Sequence, residues 1–240
     1  QEYYRNECYT IFEVEQRALS EELWRLAPKH ILKVVEKVDN NSNDKLGNIT
    51  EIIYEGFISG ANSIYFVDLD ISRSKVLFEK ELLKKVPKGK DVRKCRIIWN
   101  NRYVIYPHDE KGTPVSENDM KSKYGGIYQY LSFHKNDLEN RKYYGETPEE
   151  LFGVWYALVH PKPKVIFEQP KIITPNLSTE NNFAFDEAGY FLDHDCYGII
   201  LKNKERNNYL FVVGLLNSKV LEFYLKQISP FASGKYYRYM

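Results

Sequence analysis

The sequence predicts an α+β module: short mixed or antiparallel strands in one or two twisted sheets, flanked by helices and preceded by a helical connector. Three observations predict it. Short runs of β-branched and aromatic residues, such as Ile64-Tyr65-Phe66-Val67 and Cys196-Tyr197-Gly198-Ile199-Ile200-Leu201, are bounded by turn residues. Segments with helical spacing stand between and after them, the strongest over 209–228. And 20 of the 240 residues are tyrosine, whose apolar ring and polar tip suit half-buried sheets and binding surfaces alike.

Residues 1–45 read as the connector. Leu19, Leu23 and Leu26 have helical spacing with Ser20 as N-cap, and beyond Pro28 the pattern resumes at Ile31, Leu32, Val34, Val35 and Val38. The polar stretch Asp39–Asp44 ends it, and residues 46–240 form the main domain. That domain opens on a glycine stretch, Leu46 to Asp68, in which Gly56, Gly60 and Asn62 lie between two expected strands. Glycine allows positive φ and close backbone approach, so Gly-x-x-x-Gly-x-Asn reads as a tight surface turn offering Ser59 and Asn62, or as a hairpin turn that binds nothing.

A polar loop from Ile71 leads to a short strand at Phe78, and then comes the most basic part of the chain. Lys84, Lys85, Lys88, Lys90, Arg93, Lys94 and Arg96 surround one acid, Asp91, forming either a solvated face or a rim for phosphates. Ile97-Ile98-Trp99 and Tyr103-Val104-Ile105-Tyr106 read as strands paired across Asn100-Asn101-Arg102, and His108 to Lys123 as a polar loop. A helix is expected over 124–144. A second starts at Thr147-Pro148-Glu149-Glu150, with Thr as N-cap, Pro in the first turn and Glu three residues after the cap. Val165-Ile166-Phe167, Lys171–Thr174, Phe183–Phe185, Tyr190-Phe191 and Cys196–Leu201 read as a meander of short strands, and Tyr209–Ile228 as one long helix. The end, Gly234-Lys235-Tyr236-Tyr237-Arg238-Tyr239, mixes bases with aromatics.

Composition removes several classes. A net charge of +1 argues against a surface coated for nonspecific nucleic-acid binding while leaving room for a local basic face. Cys8, Cys95 and Cys196 are odd in number, far apart and form no C-x-x-C, which predicts a reduced, cytoplasmic chain without a zinc site. No apolar run approaches the roughly 18 residues of a membrane span, and no signal peptide opens the chain, so no membrane partner is expected. The start at Gln1 reads as that of a fragment or a processed chain.

Taken in order, several segments resemble one family. Lys45-Leu46-Gly47-Asn48-Ile49 leading into GFISGANSIYFV is followed by Val86-Pro87-Lys88-Gly89-Lys90-Asp91-Val92, Tyr103–Pro107, and Tyr130-Leu131 through Leu138-Glu139-Asn140-Arg141. Then come Trp155–Leu158, Pro170–Pro175, Phe183–Asp186, Leu215-Leu216-Asn217-Ser218 and Gly234 to Tyr239. Together they are similar to the C-terminal target recognition domain of TaqI-like adenine-N6 DNA methyltransferases, including fused restriction-modification enzymes. Ser59 stands where that family usually has Thr, which keeps the hydroxyl. No Asn/Asp-Pro-Pro-Tyr/Phe tetrapeptide and no glycine-rich turn for S-adenosylmethionine is present. The resemblance therefore implies recognition without the chemistry. Double-stranded DNA is the implied partner, beside a methyltransferase domain in the same or another chain. S-adenosylmethionine, and Mg²⁺ if the parent also cleaves, belong to the parent enzyme, and no cofactor to this chain. The target adenine would be flipped from the stack while this module holds the duplex.

The candidate contacts follow from residue type. Base edges take Asn, Gln, Arg and Lys, and phosphates take Lys, Arg and small hydroxyls. Ser59 and Asn62 suit close approach, Lys88, Lys90 and Arg93 the backbone, and Lys235, Tyr236 and Arg238 either. A Mg²⁺-dependent nuclease is the first alternative, with Asp109-Glu110-Lys111 as acid-x-Lys and Asp91 as the upstream carboxylate. The second is a protein-interaction domain of a phage-defence system, using the tyrosine-rich surface. Asp193-His194-Asp195-Cys196 reads as a strand-end turn rather than a metal or nucleophile site.

Overall fold

The computed structural model describes residues 2–5, 10–14, 16, 26–68 and 78–238. Leu19, Ser20 and Leu23, the loop from Ile71, and Tyr239 lie outside the described residues. In chain order the elements are β1 (Glu2–Arg5), β2 (Thr10–Phe12), α1 (Lys29–Asn40), α2 (Leu46–Ile49), β3 (Thr50–Glu55), α3 (Asn62–Tyr65), β4 (Phe66–Asp68), β5 (Leu83–Lys85), β6 (Val92–Arg93), β7 (Arg96–Ile97) and β8 (Arg102–Ile105). They continue with α4 (Glu117–Lys123), α5 (Gly125–Phe133), α6 (Lys135–Glu139), α7 (Pro148–Phe152), α8 (Lys164–Glu168), β9 (Lys171–Pro175), β10 (Leu177–Ser178), β11 (Ala184–Asp186), β12 (Cys196–Leu201), α9 (Arg206–Leu216), α10 (Lys219–Ile228), β13 (Phe231–Ser233) and β14 (Tyr236–Arg238). The fold is α+β, with its strands in small antiparallel sheets.

The organising sheet has the order β11-β9-β12-β3, antiparallel throughout. Strand pleating decides its packing. Ile172 and Ile173 point to opposite faces of β9, and Ile199 and Ile200 to opposite faces of β12. Ile173 and Ile200 join one cluster with Tyr54, Phe57, Phe167 and Phe191, while Ile172 and Ile199 join Tyr209, Val212, Val213 and Leu216 of α9. With both faces covered, β9 is buried along its whole length. Gly198 is required because a Cβ there would sit 2.5 Å from the ring of Tyr54. The buried Lys171 pairs with Asp186 directly across the β9–β11 register, and its ammonium also donates to the Phe167 carbonyl.

Several elements differ from the sequence expectation. Five small sheets replace one or two among the described residues. Residues 165–167 lie in α8 rather than in a strand, Tyr190-Phe191 form none, and β12 crosses to the far side of β9, so the order is not a simple meander. The expected pairing of 97–99 with 103–106 is also absent. β7 pairs with β6, and β8 with β4 and β5, because Asn101 (φ +53°) turns the chain and the Trp99 indole N–H caps the Arg102 carbonyl at 2.9 Å. The long helix over 209–228 is two. Asn217 ends α9 by donating to the carbonyls of Val213 (2.9 Å) and Phe183 (2.8 Å), and the Ser218 hydroxyl caps α10 at Leu221 N (3.2 Å). Likewise 124–144 breaks at His134 into α5 and α6. The capping box at Thr147 and Glu150 forms as expected and starts α7.

Candidate nucleic-acid interface

Strand pairing brings the separate candidate segments to one end of the central sheet. Glu55, the last residue of β3, faces Tyr197 near the start of β12, and Cys196 faces Pro175 at the end of β9. The glycine loop leaves β3 there. At the same end, a Cβ added at Gly89 would lie 3.2 Å from Pro175 and 3.4 Å from the Asp195 carbonyl, so the loop that carries Lys88 and Lys90 runs close beside the end of β9. The β6–β7 hairpin bearing Arg93 touches the start of β11 through Cys95 N to the Phe183 carbonyl, 2.9 Å. β10 continues from Pro175 and receives β14, so Lys235, Tyr236 and Arg238 belong to a terminal hairpin added at this end.

The glycine loop is only half a surface. Gly56 is buried, and only glycine fits there, because a Cβ would collide with the carbonyl oxygens of Leu192 and Asp193 at 2.2 Å. Phe57 is fully buried, its N–H donating to the Leu192 carbonyl at 2.9 Å. The expectation that Ser59 lends its hydroxyl to a ligand is corrected: Ser59 is 1% exposed. Its hydroxyl donates to Asn62 Oδ1 (2.5 Å) and accepts from Ala61 N (3.2 Å), which shapes the loop from within. Gly60, Asn62 and Ser63 are exposed, so the open part of the loop begins one residue later than expected. The sequence also placed residues 64–65 in a strand, whereas α3 turns them inward and buries both.

The clamp on this loop is Arg141, a polar residue off the apolar stripe of the helix expected over 124–144, which the fold nevertheless buries. It is 8% exposed. It donates to the carbonyls of Leu138 (2.8 Å), Ser59 (2.5 Å), Trp155 (3.0 Å) and Ala157 (2.9 Å), and to the Tyr65 hydroxyl (3.2 Å). Burial lowers its pKa, with the hydroxyl of Tyr65 opposing that shift. A second buried pair steadies the neighbouring turn: Arg102 reaches Asp193 at 3.1 Å and lies over the Phe66 ring at 3.6 Å. Burial raises the pKa of Asp193 and Arg102 works against it. Asp193–Asp195 is thus a turn into β12, as its residue types suggest.

The basic segment divides by function. Lys84 is half-buried beside Glu168 (3.9 Å), and burial lowers its pKa. Lys94 is held by Glu180 and Glu222, each at 3.0 Å, which raises its pKa. Lys85 lies over Trp99 at 4.8 Å. Lys90, Arg93 and Arg96 are exposed, Lys88 partly so, and none of these four has a carboxylate partner among the described residues. Lys235, Tyr236 (49% exposed) and Arg238 also face solvent. The carboxylates of the nuclease alternative have other tasks. Asp91 is 4% exposed and accepts from Lys88 N (2.8 Å) and Asn100 Nδ2 (2.9 Å). Asp109 caps a turn at Lys111 N and Thr113 N, and Glu110 lies 3.5 Å from Lys164.

Compared with known families, residues 84–240 match the TaqI-like C-terminal specificity domain. The chain belongs to that family. Among curated proteins it is 24% identical over 184 residues to the type II methyltransferase M.BstVI of Geobacillus stearothermophilus, covering 77% of this chain and 30% of that one. It is also 24% identical over 207 residues to the type II methyltransferase M.BanIII of Aneurinibacillus aneurinilyticus, covering 85% and 35%. The chain therefore spans about a third of the length of these relatives.

Methyltransferases use S-adenosylmethionine, and the glycine turn after β3 does not fit a cradle for it. Its Gly56 is pressed against protein carbonyls, not open to a ligand, and the turn leads into a helix of four residues. No described helix is long and apolar enough to cross a membrane.

Proposed function

We propose that this chain is the part of a restriction-modification adenine-N6 methyltransferase that recognises its target sequence in double-stranded DNA, the methyl transfer and its S-adenosylmethionine belonging to a methyltransferase domain. The observation that carries this reading is the gathering, at one end of the central sheet, of cations without carboxylate partners among the described residues (Lys88, Lys90, Arg93, Lys235, Arg238), from two segments far apart in sequence. In this reading Lys88, Lys90 and Arg93 meet phosphates, Asn62 meets a base edge, and Lys235, Tyr236 and Arg238 meet either. Loops on a fixed scaffold suit this task, because the sheet sets the register and the loops set the specificity.

The test is binding to duplex DNA across salt concentrations. Arg93→Ala is expected to weaken binding to every sequence alike and to lower the log–log salt slope by roughly 0.9. Asn62→Ala is expected to relax discrimination at one base pair, by about 1–3 kcal/mol. Wild-type behaviour of both variants would remove the interface.

One observation favours a protein-facing role in addition. Leu210, Phe211 and Leu215 on α9 are 42%, 70% and 48% exposed, an apolar stripe on a helix whose end adjoins the β6–β7 hairpin through Asn217 and Cys95. In our reading it receives the methyltransferase domain. Phe211→Lys is expected to leave duplex binding by this chain unchanged; weakened binding would assign α9 to the DNA face instead.

A further inference from the structure

Among the described tyrosines, Tyr144 stands out in two ways that packing does not explain. It is 92% exposed, and its backbone lies in the left-handed region at φ +50°. Tyr143 and Glu146 exchange both backbone hydrogen bonds, at 2.8 and 3.2 Å, closing a turn whose tip is Tyr144 and Gly145 (φ +95°). Such a tip ordinarily takes Asn-Gly or Asp-Gly, and an aromatic residue there is strained. The fold gains little core packing in return: the ring lies against neighbouring Tyr143, 4.5 Å between centroids, and is otherwise turned to solvent.

The turn is nevertheless held firmly. Tyr143 stacks on His160 at 5.4 Å and 29°, and His160 exchanges backbone hydrogen bonds of 3.0 Å in each direction with Ile58 of the glycine loop. The tip thus sits beside that loop, with open space around Gly145 and the exposed Lys142 just before it. The geometry points to Tyr144 as a residue that inserts its ring against the base stack of the bound duplex. A rigid aromatic ring on a turn next to a cation suits this, because every base offers a π face and an inserted wedge opens a base step. The inference rests on the DNA-reading role proposed above and adds a contact to it.

The test uses the 240-residue chain and duplexes that the wild type enriches from a randomised pool, with 2-aminopurine placed at successive positions. Wild type and Tyr144→Phe are expected to raise 2-aminopurine fluorescence at one step. Tyr144→Ala is expected to abolish that rise and weaken affinity by about tenfold. Tyr144→Gly, which accepts the left-handed backbone, is expected to lose the rise while melting no lower than wild type, so that loss of stacking is separated from loss of fold. A rise and affinity unchanged in Tyr144→Ala, a rise lost in Tyr144→Phe, or no responsive position in wild type would overturn the role of Tyr144 while leaving DNA recognition standing. Failure of the wild type to enrich any duplex would overturn both.

Discussion

Arg141 and Arg93 carry the same guanidinium to opposite ends. Arg141 is enclosed, with its donors aimed at four backbone carbonyls and a hydroxyl, so its charge serves to fix the glycine loop. Arg93 stands on a hairpin tip in solvent with no carboxylate partner among the described residues. The difference teaches that burial and pairing, rather than residue type, separate the scaffold of this domain from its reading surface. Lys171 and Lys94 repeat the lesson: each is cationic, and each is already paired within the protein.

The comparison breaks first if Arg141 proves dispensable. Arg141→Ala is expected to destabilise the fold by about 3–5 kcal/mol, because several buried carbonyls lose their donor together. Arg141→Lys should rescue little, since an ammonium lacks the planar fork. Urea melts of the purified variants decide this. Next comes a pH effect from the same scaffold. His108 is fully buried, neither ring nitrogen has a hydrogen-bond partner among the described residues, and burial pushes its pKa down to about 3. The unfolded histidine, near its ordinary value of roughly 6.5, binds a proton that the native state refuses. Stability is therefore full above about pH 6.5 and falls as pH drops toward 3, by up to about 1.4 kcal/mol per pH unit for this one group. His108→Phe is expected to flatten that slope, read from urea melts at about pH 7.5 and about pH 5.

Ser59→Ala sharpens the comparison at a smaller scale. It removes a hydroxyl that bridges Ala61 N and Asn62 Oδ1, and is expected to cost about 1 kcal/mol in stability. Its effect on DNA binding should follow only through Asn62, whose side chain loses its anchor. Arg93→Ala should fall within about 0.5 kcal/mol of wild-type stability, as exposed substitutions do. A large loss there, in a thermal melt, would mean the hairpin tip belongs to the scaffold.

Much of the scaffold was legible because it is local. The Thr147–Glu150 capping box, the strands around Lys171–Thr174 and Cys196–Leu201, and the turn at Asp193–Asp195 follow from short-range chemistry. What escaped depends on partners distant in sequence. Residues 165–167 look like a strand, yet they form a helix whose Ile166 carbonyl receives the hydroxyl of Tyr54, 112 residues away. Asn217 breaks the long terminal helix by bonding to Phe183, 34 residues away. At the candidate site, residue type marked the exposed cations but not which of them meet acids elsewhere, as Lys94 does with Glu180 and Glu222. Nor did it show that Gly56 is needed for close packing rather than for an open turn.

The measurement that bears most directly on the cationic end is the salt dependence of duplex affinity for wild type against the combined variant Lys90→Ala, Arg93→Ala, Lys235→Ala, Arg238→Ala. The expected result is steep salt dependence in wild type and a log–log slope smaller by roughly 0.9 for each lost phosphate contact in the variant, with the melting temperature preserved. Equal slopes and affinities for the two proteins would contradict the account.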